Sequence, residues 1–490
     1  MSLENQVIEF FKSDGILSKK FEDYEFRQSQ LDMALEILKT LQDQSHLMIE
    51  APTGVGKSFA YLVPSILYAK QNKKKAVIST HTINLQEQLL NKDIPLLQEL
   101  MPVKFSAALI KGKTNYLCPK RLQKALVKSD NLFDSDEKFF LDKVYSWSRN
   151  TADGTVSDLP FAIKQNVWNS ICAERGICSS KTCGGTESDC FYMKAKLAIA
   201  DADVVIVNHH LFFTLFDGVS EADAEGYLFL EDFIIFDEAH TLESIAAEHI
   251  YPSLSREMIK YQLNRLYNPA KKKGFLLNLP SLHIQLSVQN LYDLVHRFFF
   301  NLKEELFIKN NGFYEKLAVR VYEKNIVEDI LTPEIEKLLE YLRELRKNCK
   351  DDMELNELND YIVRFGEFKF YITHFLEQKY EEKKGNEFVY WVELSGMRED
   401  SNVSICTAPI DISDYFRENI FRPNNTSILT SATLTVNNSF EYFIERLGAE
   451  NVNNLILPTQ FDFYNQVKIY IPSGMPPPSK NSDIFYTENL

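Results

Sequence analysis

The sequence of 490 residues predicts an α/β fold organised around a phosphate-binding loop. Three observations support this fold class. A short apolar run at 47–49 leads into a glycine-containing loop and then into a helix-like segment at 59–68. Two further apolar runs of strand type, at 204–207 and 233–236, each end in polar residues. The order of strand, loop and helix is the usual setting of a nucleotide site.

The loop after the first strand has the composition of an anion-binding turn. Gly54 and Gly56 allow the backbone to bend so that several N–H groups point inward, and the start of the next helix adds a positive field. Lys57 is expected to reach the β- and γ-phosphates of a nucleotide, and the Ser58 hydroxyl to help hold Mg²⁺. Ala51 stands where the general pattern has its first glycine. The residues of this loop predicted to bind ATP and Mg²⁺ are Thr53, Gly54, Val55, Gly56, Lys57 and Ser58.

The run at 233–236 delivers two adjacent carboxylates to the end of a strand. Asp237 is placed to hold Mg²⁺ through its water shell, and Glu238 to orient and deprotonate an attacking water. With Lys57, they form the predicted catalytic set, and ATP hydrolysis is the predicted chemistry. Upstream, Gln30 offers the donor and acceptor that the edge of adenine requires, and it is assigned to the ATP site together with Arg27.

The run at 76–82 ends in small hydroxyl residues and is followed by a helix-like segment that begins at Asn84. Short polar side chains and N–H groups at such a junction suit the sugar-phosphate backbone of a nucleic acid, which can be held without reading its sequence. Taken alone, this pattern is a weak signal.

The cysteines form a second constellation. Cys178, Cys183 and Cys190 lie close together in a segment rich in Gly and Ser, with Cys118 and Cys172 upstream. Disulfides are not expected in an intracellular chain, and ligation by cysteine alone fits either an iron–sulfur cluster or zinc. A metal centre needs four ligands and five cysteines are offered, so the spacing leaves one of them unassigned.

Composition limits the class of protein. The chain is 45% hydrophobic and 25% charged, which is ordinary for a soluble globular protein. Its net charge of −15 argues against broad non-specific binding of nucleic acid but allows a local basic groove. No apolar run approaches the roughly 18–20 residues of a membrane span, so no membrane association and a cytoplasmic location are expected.

The stretch from 250 to about 390 is poor in glycine and has a helical pattern. Thr332 is expected to cap a helix with proline in its first turn. One apolar face of that helix is predicted to comprise Ile335, Leu338, Leu339, Leu342 and Leu345. This part of the chain is predicted to be an inserted helical domain.

Taken together, the motifs resemble the ordered motifs of superfamily 2 helicases. The resemblance rests on Gln30, the loop 51–58, the segment 80–88, Asp-Glu-Ala-His at 237–240 and Ser-Ala-Thr at 431–433. The cysteines and the helical insertion narrow it to the XPD-like iron–sulfur branch of DinG type. The segments that carry this closer similarity are 77–86, 115–118, 190–195 and 207–211.

The resemblance implies a RecA-like P-loop motor domain, with a parallel sheet flanked by helices, that carries an iron–sulfur insertion and a mainly helical arch insertion. The implied division of the chain is motor domain 1 at 1–117, 191–249 and 396–435, the iron–sulfur domain at 118–190, the arch at 250–395, and the start of motor domain 2 at 436–490. No Gln-x-x-Gly-Arg-type box follows Thr433, so the sequence is expected to lack most of the second motor domain.

The activity implied by the resemblance is ATP-driven 5′ to 3′ translocation on single-stranded DNA, with unwinding of forked or tailed duplexes in DNA repair or replication. The residues implied to couple hydrolysis to movement are His240, Ser431 and Thr433. Those implied to contact DNA are Thr80, His81, Thr82, Gln86, Asn208 and His209.

A [4Fe–4S] cluster is implied by the same resemblance. Its ligand positions match Cys118, Cys178, Cys183 and Cys190, and Cys172 is then the spare cysteine. Two alternatives stay open at this point: an iron–sulfur protein that binds ATP and DNA but has a vestigial or regulatory ATPase, and a zinc site in place of the cluster. Protein partners are not indicated.

Overall fold

The structure is a computed structural model. It describes residues 1–127, 135–174, 189–217, 232–277, 279, 282–309, 318–350, 352–378, 388–396, 401–423, 425–461 and 463–469. The strands of this part of the chain are β1 (Leu47–Glu50), β2 (Ala76–Thr80), β3 (Ala107–Leu109), β4 (Val204–Asn208), β5 (Phe233–Asp237), β6 (Leu254–Ser255), β7 (Ala318–Val321), β8 (Phe388–Leu394), β9 (Val403–Pro409), β10 (Thr426–Ser431) and β11 (Asn453–Ile456).

The helices of the described residues are α1 (Leu3–Phe11), α2 (Ile16–Lys20), α3 (Gln28–Asp43), α4 (Lys57–Asn72), α5 (Ile83–Gln88), α6 (Ile94–Leu100), α7 (Pro119–Val127), α8 (Ser135–Ser148), α9 (Gln165–Ile171), α10 (Phe191–Asp201), α11 (His209–Asp217), α12 (Leu242–Ile250), α13 (Arg256–Leu266), α14 (Leu282–Lys309), α15 (Thr332–Asn348), α16 (Asp352–Glu377), α17 (Ser413–Asn419), α18 (Glu441–Leu447) and α19 (Phe463–Gln466). A π-helical turn, Leu89–Asp93, joins α5 to α6.

Seven strands form a parallel sheet in the order β11-β1-β10-β5-β2-β4-β3. Successive side chains of a strand point to opposite faces. In β1, Leu47 and Ile49 therefore enter the core on one face and Met48 the core on the other, and Ile78 and Val77 of β2 divide in the same way. A sheet buried on both faces explains why its strands are continuous apolar runs in the sequence. The predicted α/β class is confirmed.

Two layers of helices cover this sheet. The helices α1, α3, α4 and α6 pack on one face. The other face carries α10, α11, α12, α17 and α18, and the cysteine-bearing region α7 to α9 packs into the same core. The cysteine-bearing region is thus continuous with the core under the parallel sheet.

A second, antiparallel sheet has the order β6-β9-β8-β7 and packs with α13, α14, α15 and α16 around a third core. The stretch expected to be a helical arch, 250–395, therefore also contains the strands β6, β7 and β8. The strand β9 lies beyond residue 395 and completes this sheet, where Val403 and Ile405 join the third core.

The predicted apolar face of α15 is buried at Ile335, Leu338, Leu339 and Leu342. The cap of this helix differs from the prediction. Asp329 accepts hydrogen bonds from the backbone N–H groups of Leu331 at 3.2 Å and Thr332 at 2.9 Å. A carboxylate suits the positive end of a helix, so Asp329 caps α15 and Thr332 is its first residue.

A buried ion cluster joins the cysteine-bearing region to the layer of the second sheet. The carboxylate of Glu174, after α9, lies 3.0 Å from Arg121 of α7, 2.5 Å from Arg265 of α13 and 3.2 Å from Arg364 of α16. Burial raises the pKa of Glu174, but the arginines outweigh burial and hold this pKa below its ordinary value. The cluster therefore holds an ionised carboxylate among three guanidinium groups.

Substituting Glu174 with Gln should lower the free energy of unfolding by about 3–5 kcal/mol, because buried guanidinium groups lose their counter-charge. Glu336 supplies a matched control, since its carboxylate contacts Arg343 at 2.9 Å and Lys369 at 2.8 Å on a more exposed surface. Glu336→Gln should cost under about 1 kcal/mol. Urea unfolding of both variants measures the difference, and equal stability of the two would contradict the role given to Glu174.

Candidate functional site

Three neighbouring strands bring distant motifs to one edge of the parallel sheet. The strand β10 lies between β1 and β5. In register, Glu50 of β1 pairs with Ser431 of β10, and Thr430 of β10 pairs with Asp237 of β5. Ligands of open α/β sheets bind beyond the carboxyl ends of the strands. The phosphate-binding loop, the acidic pair and the Ser-Ala-Thr segment all lie at this edge.

The loop has the backbone conformation that its glycines predict. Gly54 has φ +88° and Gly56 has φ +84°, both in the left-handed region that favours glycine. The side chain of Val55 is buried in the core, whereas Thr53 is exposed at the rim of the loop. The helix α4 begins at Lys57, so its N-terminal N–H groups face the loop.

Gln30, assigned to adenine, and Arg27, assigned to the ATP site, hold the loop in this structure. Gln30 donates a hydrogen bond from Nε2 to the carbonyl oxygen of Gly56 at 3.0 Å, and Arg27 donates from Nη1 to that of Gly54 at 2.6 Å. A Cβ on Gly56 would lie 2.2 Å from Gln30 Nε2, and one on Gly54 would lie 2.8 Å from the ring of Phe461. Close packing thus adds a second reason for glycine at both positions.

The predicted catalytic residues meet across the edge. The ammonium group of Lys57 lies 3.2 Å from Glu238 Oε1. Asp237 is buried, and it accepts a hydrogen bond from the hydroxyl of Tyr61 at 3.1 Å and another from the backbone N–H of Glu238 at 3.0 Å. Glu238 itself has φ +56°, a conformation that is uncommon for a residue with a side chain and concentrates at functional sites.

Burial dominates the electrostatics of Asp237. Burial raises the pKa of Asp237 to about 6, while Lys57 lowers it and the neighbouring Glu238 raises it further. A divalent cation beside this carboxylate would favour its charged form. With the Ser58 hydroxyl in the first turn of α4, the donor set is the oxygen set that Mg²⁺ prefers.

The residues predicted to couple hydrolysis to movement form a chain of contacts that reaches Glu238. His240 Nδ1 lies 2.8 Å from the hydroxyl of Ser431 and 3.5 Å from Glu238 Oε2. The Ser431 hydroxyl donates to Glu238 Oε2 at 3.4 Å and accepts from the backbone N–H of Thr433 at 3.4 Å. The structure therefore brings all three together around the carboxylate.

One residue that sequence reasoning missed ties the loop to the segment after β10. The Glu50 carboxylate accepts hydrogen bonds from the backbone N–H groups of Leu434 at 2.6 Å and Thr435 at 2.5 Å, and from the Thr435 hydroxyl at 2.8 Å. Its only sequence signal is a carboxylate at the end of an apolar strand, directly before the loop.

Three of the residues implied to contact DNA are accessible at the neighbouring strand ends. His81 and Thr82 are exposed after β2, and Asn208 is half-buried at the end of β4, the next strand of the sheet. The Thr82 hydroxyl caps α5 by accepting from the N–H of Leu85 at 3.3 Å. Asn208 Oδ1 accepts from the N–H of Leu211 at 2.8 Å.

The other three are buried in this structure. Thr80 donates from its hydroxyl to the carbonyl oxygen of Thr82 at 3.2 Å. Both polar atoms of the Gln86 amide are buried without a hydrogen bond in the described part of the chain. The ring of His209 lies 2.7 Å from the Ser79 hydroxyl, and burial, followed by the nearby His81, lowers the pKa of His209 to about 3. These three side chains are therefore packed inside the protein and are not exposed at the edge of the sheet.

Of the four predicted metal ligands, Cys178 and Cys183 lie outside the described residues. Cys118 and Cys190 directly precede the helices α7 and α10, and both pack against the core under the parallel sheet. Cys172 is buried, and its thiol lies 3.7 Å from the carbonyl oxygen of Asn169. In the described ranges, no group of three or more His, Cys, Asp and Glu residues is arranged to hold a metal ion.

Among the described helices, none combines the length and the apolar composition that a bilayer crossing needs.

Comparison with known proteins gives three similarities. Residues 31–144 match the family described as DEAD/DEAH box helicase. The ATP-dependent DNA helicase YoaA of Escherichia coli (strain K12) is 30% identical over 474 residues, which cover 95% of this chain and 69% of that protein. The protein named 3′-5′ exonuclease DinG of Bacillus subtilis (strain 168) is 28% identical over 501 residues, covering 94% of this chain and 52% of that protein.

Among solved structures, a chain named XPD helicase matches with a TM-score of 0.47 at 16% identity, covering 88% of this chain and 62% of that chain. The identity to YoaA, by contrast, extends over nearly the whole chain and more than two thirds of the relative. This chain belongs to the DinG/YoaA family of ATP-dependent DNA helicases.

Proposed function

We propose that this chain hydrolyses ATP at the carboxyl edge of its parallel sheet and uses the reaction to move 5′ to 3′ along single-stranded DNA. It opens forked or tailed duplexes in DNA repair or replication, in the cytoplasm. The observation that carries the proposal is the meeting of Lys57, Asp237 and Glu238 beyond the carboxyl ends of β1 and β5, the two strands that flank β10. The direction, the DNA form and the pathway rest on the family resemblance.

Each residue of the site has a role in this reaction. Mg²⁺ bound with the nucleotide would neutralise the charge that develops on the phosphates. Ser58 and Asp237 are the residues that would hold it. Lys57 exchanges its contact with Glu238 for the phosphate oxygens when the nucleotide enters. Glu238, held by Ser431, is then available to accept a proton from the attacking water.

The DNA is proposed to lie along the same edge, over β2 and β4. The accessible polar residues there are His81, Thr82 and Asn208, and short polar side chains with backbone N–H groups grip phosphates without reading sequence. The strand β2 is adjacent to β5 in the sheet. A movement of Asp237 and Glu238 at the end of β5 therefore has to cross only one strand spacing to reach the DNA-binding residues after β2. His240 and Ser431 contact each other, and they are proposed to transmit a change in the contacts of Glu238 to β10.

Steady-state ATP hydrolysis with single-stranded DNA tests the proposed chemistry. Glu238→Gln should lower kcat by about 10²–10⁴-fold with nucleotide affinity retained, because the general base is lost. Lys57→Ala should weaken nucleotide binding itself. Glu248→Gln, an exposed carboxylate on α12, is the control and should hydrolyse ATP normally. Nucleotide binding with no turnover above Glu238→Gln would refute the ATPase and favour a nucleotide-binding protein without catalysis.

The raised pKa of Asp237 predicts a pH-dependent stability of the nucleotide-free protein. Ionisation of Asp237 opposes folding, so the penalty is absent below its ordinary pKa of 3.8, grows as the pH rises and is complete above about 6. Asp237→Asn should therefore stabilise the protein at pH 7.5 by about 1–3 kcal/mol and give no gain at pH 4. Urea unfolding in EDTA at both pH values measures this. The same gain at pH 4 would contradict the assignment.

We further propose that Cys118, Cys178, Cys183 and Cys190 hold a [4Fe–4S] cluster. A ligand must be a thiolate, and a position directly before a helix, as at Cys118 and Cys190, favours negative charge. Burial raises the pKa of the Cys172 thiol, which opposes the thiolate form and supports its place as the spare cysteine.

Analysis of anaerobically purified protein for iron and acid-labile sulfide tests the cluster. Cys118→Ser should lose most of the iron and the visible absorbance. Cys172→Ser should keep both, and it is a close control because Leu117, the residue before Cys118, forms a β-bridge with Cys172. Zinc in place of iron, with no visible chromophore, would refute the cluster and leave a zinc site.

A further inference from the structure

A buried chain of polar side chains lies beneath the proposed Mg²⁺ position. Tyr61 is fully buried, and its hydroxyl donates to Asp237 Oδ2 at 3.1 Å. Burial raises the pKa of Tyr61 and that of Asp93, and in both cases the nearby Ser58 hydroxyl opposes the shift. The four polar side chains therefore follow one another in the order Asp93, Ser58, Tyr61 and Asp237. Ser58 and Asp237 are the two residues proposed to hold the ion.

Tyr61 places a hydroxyl among buried apolar side chains of α4. Its neighbours on α4, Ala60, Leu62 and Val63, are all fully buried hydrophobic residues. A phenylalanine would fill the same space, so packing alone does not require the hydroxyl. Burying a hydroxyl is costly unless it is hydrogen-bonded, and here the hydroxyl donates to Asp237.

Asp93 is placed by an unusual turn. It ends the π-helical turn Leu89–Asp93, and turns of this kind recur at functional sites. Its side chain is 7% exposed, and its Oδ2 atom has no hydrogen-bond partner in the described part of the chain. A buried carboxylate with an unpaired oxygen is expensive, so its retention beside Ser58 calls for a role.

We propose that Asp93 and Tyr61 are positioning residues that orient Ser58 and Asp237 toward the Mg²⁺ of the bound nucleotide. The inference rests on the proposed function and adds the residues behind the ligands. A hydroxyl that binds a cation through its oxygen must direct its proton away from the ion, and a carboxylate on the far side is the acceptor that favours this orientation. Tyr61 fixes the carboxylate of Asp237 in the same way from below.

The test separates nucleotide affinity from Mg²⁺ dependence. A fluorescent ADP analogue is titrated into the 490-residue chain in EDTA, and its binding is then followed as Mg²⁺ is added. Asp93→Asn and Tyr61→Phe change hydrogen bonding with little change of volume. Tyr68→Phe, on the same helix, is the matched control.

Both variants should raise by about tenfold the Mg²⁺ concentration at which the gain in affinity for the ADP analogue is half-maximal. The Kd of the analogue in EDTA should stay within about twofold of the value for the unmodified chain. Tyr68→Phe should change neither. An unchanged Mg²⁺ requirement would overturn the inference, and so would an equal loss of affinity with and without Mg²⁺, since that marks a purely structural role. If Asp93→Asn fails to fold, Tyr61→Phe decides. No nucleotide binding by the unmodified chain would instead overturn the proposed function, and this inference with it.

Discussion

The position of β10 between β1 and β5 is the constraint on which the site depends. Buried backbone groups must be paired, and β10 pairs those of both neighbours. The pairing continues past the strand ends, because the N–H of Ala51 donates to the carbonyl oxygen of Ser431 at 2.9 Å and Glu50 binds the backbone after β10. The loop, the acidic pair and the Ser-Ala-Thr segment come together because β10 joins β1 to β5 in the sheet.

In the ligand-free structure, the charged and polar groups of the site are paired with one another. Lys57 contacts Glu238, the carbonyl oxygens of the loop accept from Gln30 and Arg27, and Asp237 is buried against a tyrosine hydroxyl. Inside a protein such contacts are stronger than in water, and an unpaired group is correspondingly costly. Under the proposed function, binding of a nucleotide is an exchange of partners, in which the phosphates replace Glu238 at Lys57 and leave that carboxylate available for chemistry.

The two further parts of the chain are attached to this sheet by different physical means. The cysteine-bearing region shares an apolar core with the underside of the sheet, so any centre held by Cys118 and Cys190 is rigidly connected to the motor. The layer of the second sheet meets that region through Glu174 and its arginines. A charge cluster has strict geometry and tolerates little displacement. It therefore sets the orientation of the second layer relative to the cysteine-bearing region.

The sequence by itself determined the α/β class, the phosphate-binding loop, the acidic pair and the family, because each is encoded by contiguous residues whose spacing follows from local geometry. Tertiary structure alone decided what depends on partners far along the chain. It placed Gln30 and Arg27 on the loop carbonyls, buried His209 below the edge, and joined Glu50 to the segment after β10. It also moved the cap of α15 to Asp329. Burial and pairing are set by which strands and helices become neighbours, and no local pattern contains that information.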